Sequence, residues 1–137
     1  MLTHISHPLY QEALAINRAV VQLTKGYNSN GNFNLAFKIK EDCIQLCNQL
    51  DQATAARYDH TFETYYKSAR KQTSMLLEHI RIANAARMLR GGFPKELIDR
   101  IELLKWKINL LLEFYQTNIP LDYRTLSGWA HQKHRLN

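Results

Sequence analysis

Four cationic side chains recur on one side of a long helix-forming segment, residues 65–89, which contains no Gly or Pro. At about 100° per residue, the apolar side chains of the segment fall together and the cations fall opposite them. The apolar side comprises Tyr65, Ala69, Leu76, Ile80 and Ala83, and the cations are Lys67, Arg70, Lys71 and Arg81. One side can pack in a bundle while the other presents positive charge to an anion, of which nucleic acid is the commonest large example. The alternative is a solvated helix of mixed charge, because Glu78 lies within the same arc.

A second group of basic residues surrounds a tryptophan near the end of the sequence. Its members are Arg124, Trp129, His131, Lys133, His134 and Arg135. Such a segment can pair with phosphates through its cations and stack a base on the indole ring. A basic segment of this kind can equally be ordinary solvated chain, so both interpretations stay open.

Histidine and cysteine pairs are the residues that could hold a metal ion. Two pairs of histidines are spaced by one helical turn: His4 with His7, and His131 with His134. Neither pair has a third ligand nearby in the sequence, so we predict no metal site. Cys43 and Cys47 lie four residues apart in an apolar helical pattern without further zinc ligands, which predicts buried, reduced thiols. The sequence also lacks a P-loop, a GxGxxG fingerprint, HExxH and Gly-x-Ser-x-Gly, so no cofactor is predicted.

Composition favours a single packed domain. Of the 137 residues, 45% are hydrophobic, and 18 Lys and Arg against 12 Asp and Glu give a net charge of +6. A chain of this length buries about two-thirds of its unfolded surface. The N-terminal residues have neither the basic nor the apolar region of a signal peptide, and no apolar run is long enough to span a membrane. We therefore expect a cytoplasmic protein.

The first two predicted helices follow from rows of apolar residues between helix breakers. Pro8 is expected in the first turn of the first helix, and Gly26 just after its end, before a turn at 27–32. The second helix is expected to end near Arg57. Their expected core positions are Leu9, Ala13, Ile16, Val20 and Leu23, then Leu35, Ile39, Cys43, Leu46, Leu50 and Ala53.

Two further helices complete the pattern. Asp59 is a candidate N-cap of the third helix, which is expected to run to Arg90, just before Gly91–Gly92. Pro94 is expected to open the fourth helix and Ile119–Pro120 to end it. Phe62 is the expected first core residue of the third helix, and the core side of the fourth comprises Leu97, Ile101, Leu104, Ile108, Leu111 and Tyr115.

Four amphipathic helices joined by short loops predict an all-α fold, an antiparallel four-helix bundle. We expect the bundle to span residues 1–120 and an irregular, basic and aromatic C-terminal tail to span residues 121–137. No segment has the pattern of a strand or an internal repeat.

The fourth helix has a second apolar stripe, formed by Leu103, Trp106, Leu110 and Phe114 at spacings of three, four and four. The stripe falls roughly opposite the core positions of the same helix, so four helices alone cannot bury it. Soluble monomers rarely expose such a patch, and aromatic residues are favoured at the centres of interfaces. We predict that the stripe is a homo-oligomer interface. The alternative is that the tail, with Trp129, folds back over it.

The order and spacing of these residues resemble a known superfamily. The second helix has the pattern Phe33-x-Leu35-Ala36-x-x-Ile39, and the third has Ala69-Arg70-Lys71 followed by Leu76, Ile80, Arg81 and Ala83. A fourth helix then follows a short turn. This pattern resembles the S23-type four-helix-bundle superfamily, which includes proteins encoded by intervening sequences of 23S ribosomal RNA genes and the accessory variability proteins (Avd) of diversity-generating retroelements. The resemblance covers roughly residues 8–118 and concerns apolar positions rather than a catalytic signature.

Similarity to the accessory variability proteins implies a pentameric barrel of bundles, whose basic surface binds the reverse transcriptase of the element and its template RNA. By this resemblance, Lys71 and Arg81 match the cationic third helix of the family, and Arg70 is a neighbouring substitute. Met75 and Leu77 stand where the family often has further cations. The resemblance therefore implies a non-catalytic, homo-oligomeric accessory protein with RNA and a reverse transcriptase as partners.

Two alternative functions stay open. Arg124 and His131, with six residues between them, resemble the motif of HEPN-type RNases, in which His acts as a general acid or base and Arg stabilises a pentavalent phosphate. However, this chain has Thr125 where that family usually has Asn, Asp or His, and Gly128 interrupts the helix that the motif occupies. The other alternative is a protein-only scaffold whose basic face meets an acidic partner. We expect no enzymatic activity.

Overall fold

The computed structural model of the protein describes residues 2–25, 33–56 and 61–117, with the side chains of 8–25, 34–56 and 61–114. These residues form four α-helices: α1 (Leu2–Thr24), α2 (Phe33–Ala56), α3 (Thr61–Ala85) and α4 (Lys95–Thr117). Each helix contacts the next along the chain, and α4 closes the bundle against α1. The predicted all-α four-helix bundle is confirmed. Within the described ranges, no helix is long and apolar enough to cross a membrane.

Some predicted features fall in the gaps between these ranges or beyond them. They are Gly26, the turn at 27–32, Asp59, Ile119–Pro120 and the tail at 121–137, all of which lie outside the described residues. The predicted end of α2 near Arg57 is confirmed, since the helix ends at Ala56.

One apolar cluster fills the bundle, because each helix presents a row of side chains spaced by three and four residues. The predicted rows are confirmed as buried for α1 (Leu9, Ala13, Ile16 and Val20), α2 (Ile39, Cys43, Leu46, Leu50 and Ala53) and α4 (Leu97, Ile101, Leu104, Ile108 and Leu111). The side chain of Tyr115, the last residue of the predicted α4 row, lies outside the described residues. Leu23 and Leu35 are partly buried against the cluster, and Phe62 is fully buried, as predicted. Leu112 is a buried residue of α4 that the periodicity did not indicate.

The core tyrosine of α3 is Tyr66 rather than Tyr65. The buried residues of α3 alternate between spacings of four and three: Phe62, Tyr66, Ala69, Thr73, Leu76, Ile80 and Ala83. Tyr65 lies about 100° further around the helix and is only partly buried at the edge of the cluster. The rings of Phe62 and Tyr66 pack with their centroids 4.6 Å apart. Tyr65 therefore packs at the border of the core, as Leu23 and Leu35 do, and Tyr66 fills the buried row.

Helix α1 begins earlier than the sequence predicts. Pro8 is expected in the first turn, but the helix starts at Leu2 and includes Pro8 in its interior. Proline cannot donate the backbone hydrogen bond that would reach the carbonyl of His4. Only this bond is lost, close to an end where the first four N–H groups have no partner within the helix in any case.

Helix α3 ends at Ala85, five residues before the predicted end at Arg90. The chain leaves the helix at Arg87, whose φ of 56° lies in the left-handed region. Two hydrogen bonds complete a Schellman motif: the Arg87 N–H donates to the Asn84 carbonyl (3.1 Å) and the Met88 N–H to the Ala83 carbonyl (2.9 Å). Met88 is buried, so the chain turns back onto the core at this point.

Helix α4 begins after Pro94, as predicted. The Pro94 carbonyl accepts hydrogen bonds from the N–H groups of Leu97 (3.1 Å) and Ile98 (3.2 Å). Gly91 and Gly92, each with a φ of 78°, form the turn before this helix. The glycines therefore shape the connection between α3 and α4 rather than terminating α3.

Polar contacts join the helices around the core. They are His79 Nδ1 with Asp42 Oδ2 (2.5 Å), Arg100 Nη2 with Glu12 Oε1 (2.8 Å) and Arg70 Nη1 with Asn109 Oδ1 (3.0 Å). Burial raises the pKa of Asp42, an effect that the hydrogen bond with His79 partly offsets. These contacts link α2 with α3, α4 with α1, and α3 with α4.

Cys43 and Cys47 are free, buried thiols, as the sequence predicts. Burial raises the pKa of Cys43 to about 12 and that of Cys47 to about 11. Both side chains are therefore protonated at neutral pH and pack as small apolar groups.

Candidate functional site

The outward side of α4 bears a row of large apolar side chains. Their exposed fractions are 48% for Leu103, 56% for Trp106, 44% for Leu110 and 44% for Phe114. Spacings of three and four residues place these four side chains, which we call the α4 stripe, on one face of the helix. The buried row of α4 lies on the other face. The expected exposure of the stripe on a single bundle is confirmed.

The α4 stripe is large enough to form the centre of a protein interface. It extends about 16 Å along the helix at a rise of about 1.5 Å per residue. Its exposed fractions leave roughly 400 Å² of side-chain surface in contact with solvent. A standard interface buries about 800 Å² on each partner, with an apolar centre and a polar rim. Lys107 and Glu113 are exposed next to the stripe and supply charged groups for such a rim.

Apolar side chains are also exposed on α2 and α3, but in smaller sets. Phe37 and Ile44 on α2 are seven residues apart, as are Met75 and Ile82 on α3. Charged residues lie between the members of each pair, so neither pair forms a continuous apolar row. Among the described helices, the four residues of α4 form the longest exposed apolar row. The stripe is therefore the strongest candidate for a protein interface.

The four cations predicted on α3 do not form one continuous exposed row. Lys67 and Lys71 are exposed on the outward side, whereas Arg70 is half-buried at the edge that faces α4. Its Nη1 donates a hydrogen bond to Asn109 Oδ1 at 3.0 Å. Arg70 lies closer around the helix to the buried row than Lys67 and Lys71 do. The prediction that Arg70 lies on the exposed face is therefore wrong, because its side chain joins α3 to α4.

Two of the other cations have acidic neighbours on α3 itself. Lys67 Nζ lies 3.1 Å from Glu63 Oε2, and Arg81 forms an ion pair with Glu78. Exposed pairs of this kind contribute little to stability, but they partly neutralise the local positive potential. Lys71 has no ion pair within the described part of the chain. The basic face of α3 is therefore narrower than the helical wheel predicts.

Two exposed arginines that the helical wheel did not indicate lie between α3 and α4. Arg87 and Arg90 have no ion pair among the residues that the structure describes. A signal for them is present in the sequence, since residues 79–95 contain four Lys or Arg and no Asp or Glu. A search for windows of like charge finds both arginines, whereas helical periodicity does not, because they lie beyond the last turn of α3.

The predicted site residues of the tail lie outside the described residues. They are Arg124, Trp129, His131, Lys133, His134 and Arg135, and the side chains of His4 and His7 are likewise outside. RNA contacts by the tail, its packing over the α4 stripe and the HEPN-type pair stay predictions. Among the side chains described, no group of three or more His, Cys, Asp or Glu is arranged to hold a metal ion.

Within the described residues, the candidate binding surfaces are therefore the α4 stripe and the basic residues of α3 and of the turn that follows it. The S23-type resemblance is a similarity in the spacing of residues. No protein-family model, curated protein or solved structure matches this chain.

Proposed function

We propose that the protein is a non-catalytic, homo-oligomeric accessory protein that binds a reverse transcriptase and its template RNA through a repeated basic surface. The proposal depends first on the α4 stripe, because soluble monomers seldom expose a contiguous apolar row of this kind. A second copy of the chain can supply the missing cover. In a closed ring, the stripe of each copy packs against a different face of its neighbour, so every stripe is buried once.

An assembly of several copies repeats each exposed cation of the chain. Each copy has a net charge of +6 and offers Lys67 and Lys71 on the outward side of α3. Weak contacts act together when their sites are linked, so a few cations per copy suffice for RNA binding. RNA is a suitable partner because its phosphates recur along the RNA strand, just as the cations recur around the protein assembly.

The resemblance of residues 8–118 to the accessory variability proteins supports two further parts of the proposed function. It implies a reverse transcriptase as partner and a pentamer as the assembly. Neither Lys71 nor Arg81, the two matching cations, identifies a polymerase by its own chemistry. The polymerase therefore requires a test separate from that of RNA binding.

A protein-only scaffold is the second candidate function. It is favoured by the acidic neighbours of Lys67 and Arg81, which reduce the positive potential available to a phosphate. Met75 and Ile82 are also exposed on α3. A mixture of apolar and paired charged groups is typical of surfaces that bind proteins.

Fluorescence anisotropy of a labelled single-stranded RNA, measured at several salt concentrations, tests RNA binding by the full chain. We expect sequence-tolerant binding that weakens steeply with salt, because each neutralised phosphate contributes about 0.7 to the slope for single strands. Lys67→Glu/Lys71→Glu should weaken binding. Arg18→Glu/Lys38→Glu changes the net charge equally through exposed residues of α1 and α2, and its effect should be smaller.

Both double variants keep Arg70, because its replacement would also break the contact with Asn109. The results of these measurements separate the candidate functions. An assembly that binds a reverse transcriptase but no RNA would favour the scaffold. Sustained RNA cleavage that is lost in both Arg124→Ala and His131→Ala would refute the non-catalytic proposal and favour the HEPN-type RNase.

A further inference from the structure

A surface cleft of about 500 Å³ lies where α3 meets the turn that leads to α4. It is lined by Asn84, Arg87, Leu89, Arg90, Gly91 and Gly92. None of these side chains has a carboxylate, and two have a guanidinium group. The cleft therefore combines positive charge with several hydrogen-bond donors, which favours an anionic ligand.

Asn84 is held in a fixed orientation beside this cleft. Its Oδ1 accepts a hydrogen bond from the N–H of Phe93 at 2.8 Å. The backbone of Gly92 lies close to the Asn84 side chain, since a Cβ at Gly92 would lie 3.0 Å from Asn84 Oδ1. Because Oδ1 is the acceptor, Nδ2 is the donor end of the amide. Within the described residues Nδ2 has no partner, so its two N–H groups are available to a ligand.

Arg87 occupies a backbone conformation that glycine adopts more easily. Its φ of 56° lies at the position of the Schellman motif where glycine is most common. A residue with a Cβ is less stable than glycine in the left-handed region, because the Cβ crowds the following carbonyl oxygen. The exposed side chain of Arg87 has no hydrogen bond or ion pair among the described residues that would offset this cost. Strained residues cluster at binding sites, so the strain is consistent with a role of the side chain in binding.

We propose that the turn between α3 and α4 is a phosphate-binding site, in which Arg87 and Arg90 bind the phosphate oxygens and Asn84 Nδ2 donates a further hydrogen bond. Guanidinium groups suit this task because each can donate two parallel hydrogen bonds to a phosphate. The cations of α3 are less suited, since Lys67 and Arg81 already contact carboxylates. The source of the phosphate is the RNA backbone, an assignment that rests on the proposed function. Free phosphate is the other source of the same chemistry.

Inorganic phosphate tests the site without RNA. Full-length protein labelled with ¹⁵N is titrated with phosphate, and separately with chloride at matched ionic strength. We expect phosphate-specific shifts of the Gly91 and Gly92 amide signals, and their loss in Arg87→Gln/Arg90→Gln. The control Arg18→Gln/Lys38→Gln removes the same charge from exposed positions on α1 and α2 and should keep the shifts.

RNA binding by the same variants identifies the source of the phosphate. In Arg87→Gln/Arg90→Gln we expect at least about tenfold weaker binding. The salt slope should fall by about 1.4 for each copy that contacts the RNA, since each copy loses two phosphate contacts. Arg87→Lys/Arg90→Lys keeps both charges and should restore most of the slope. The Gln substitutions keep a Cβ at both positions, so circular dichroism and thermal unfolding should match those of the wild type.

The outcomes distinguish the site from the proposed function. If the wild type binds RNA, but Arg87→Gln/Arg90→Gln binds it equally well and phosphate shifts no signal of the turn, the site is refuted and the proposed function stands. If the wild type binds no RNA, but the turn responds to phosphate and the variant does not, the proposed function fails and the site binds free phosphate. If neither ligand binds, both proposals are wrong.

Discussion

Replacing Trp106 by Ala tests whether the α4 stripe is an interface between copies of the chain. Trp106 is the most exposed member of the stripe at 56%. Its truncation should leave the single bundle intact while removing the largest apolar contact from an assembly. The matched control is Phe37→Ala, since Phe37 is an aromatic residue on α2 with a similar exposed fraction of 59%.

The size of the effect follows from the surface that Trp106 still has to bury. An aromatic side chain buries about 150–250 Å² in total, so with 56% exposed roughly 120 Å² is left for an interface. At about 25 cal/mol per Å², this surface corresponds to about 3 kcal/mol per side chain. That free energy raises the dissociation constant of each contact about a hundredfold. Leu110 has less surface to bury, and Leu110→Ala should cost about 2 kcal/mol.

Sedimentation velocity over a wide range of protein concentration measures the assembly, and tryptophan fluorescence reports on the same side chain directly. The sequence has two tryptophans, so a Trp129→Phe background leaves Trp106 as the only tryptophan, which is excited selectively at wavelengths that tyrosine does not absorb. We expect its emission to shift to the blue as concentration rises, because assembly removes the indole ring from water. Trp106→Ala should move the midpoint of association to about a hundredfold higher concentration, and Phe37→Ala should leave it unchanged.

Two results would refute the interface. One is a wild type that is monomeric up to high micromolar concentration, with emission independent of concentration. The other is dissociation by Phe37→Ala but not by Trp106→Ala, which would move the interface to α2. A monomer in which the Trp106 emission is already blue-shifted would instead support the alternative that the tail covers the stripe.

Further predictions concern the contact between His79 and Asp42 and a strained residue. His79→Ala should lower the free energy of unfolding by about 1–3 kcal/mol at pH 7 in urea titrations, because buried Asp42 loses its hydrogen-bond partner; an unchanged value would contradict this role. Burial raises the pKa of Asp42 above 3.8, so protonation of this carboxyl favours the folded state. That contribution to stability is fully present below pH 3.8 and is lost as the pH rises through the folded-state pKa. Asp42→Asn should therefore be at least as stable as the wild type at pH 7, with its relative stability falling toward pH 3. Arg87→Gly should raise the free energy of unfolding by about 0.5–1 kcal/mol, since relief of strain exceeds the added entropy of the unfolded chain; lower stability would contradict the strain.

The helices and most of the core were predictable because apolar spacing corresponds directly to a helix face. Periodicity could not decide between Tyr65 and Tyr66, since adjacent residues 100° apart can both border the core. Packing of Tyr66 on Phe62 decides between them. The end of α3 was missed for another reason. Gly91–Gly92 is a strong sequence signal for a helix end, whereas a left-handed Arg87 gives none in a single sequence.

The candidate surfaces were predictable to different degrees. The α4 stripe needs only the direction of its side chains from the helix, and the sequence contains that information. The cations of α3 also depend on which neighbours they contact. Arg70 is engaged by Asn109, which lies 39 residues further along the chain, and only the packing of α3 against α4 brings the two together. Helical wheels predict the direction of a side chain, but not whether another helix already binds it.

The α4 stripe and the phosphate site at the turn are separate in space, and this separation has a consequence for binding. Leu103, the first residue of the stripe, lies eight residues after the start of α4 at Lys95, about 12 Å along the helix axis. An interface centred on Trp106 and Leu110 therefore leaves the cleft at the end of the bundle open to a ligand. Assembly then repeats the cleft once per copy, and linked sites bind one RNA far more tightly than separate sites do. Trp106→Ala should accordingly weaken RNA binding through loss of multivalency, while the response of each turn to inorganic phosphate stays the same.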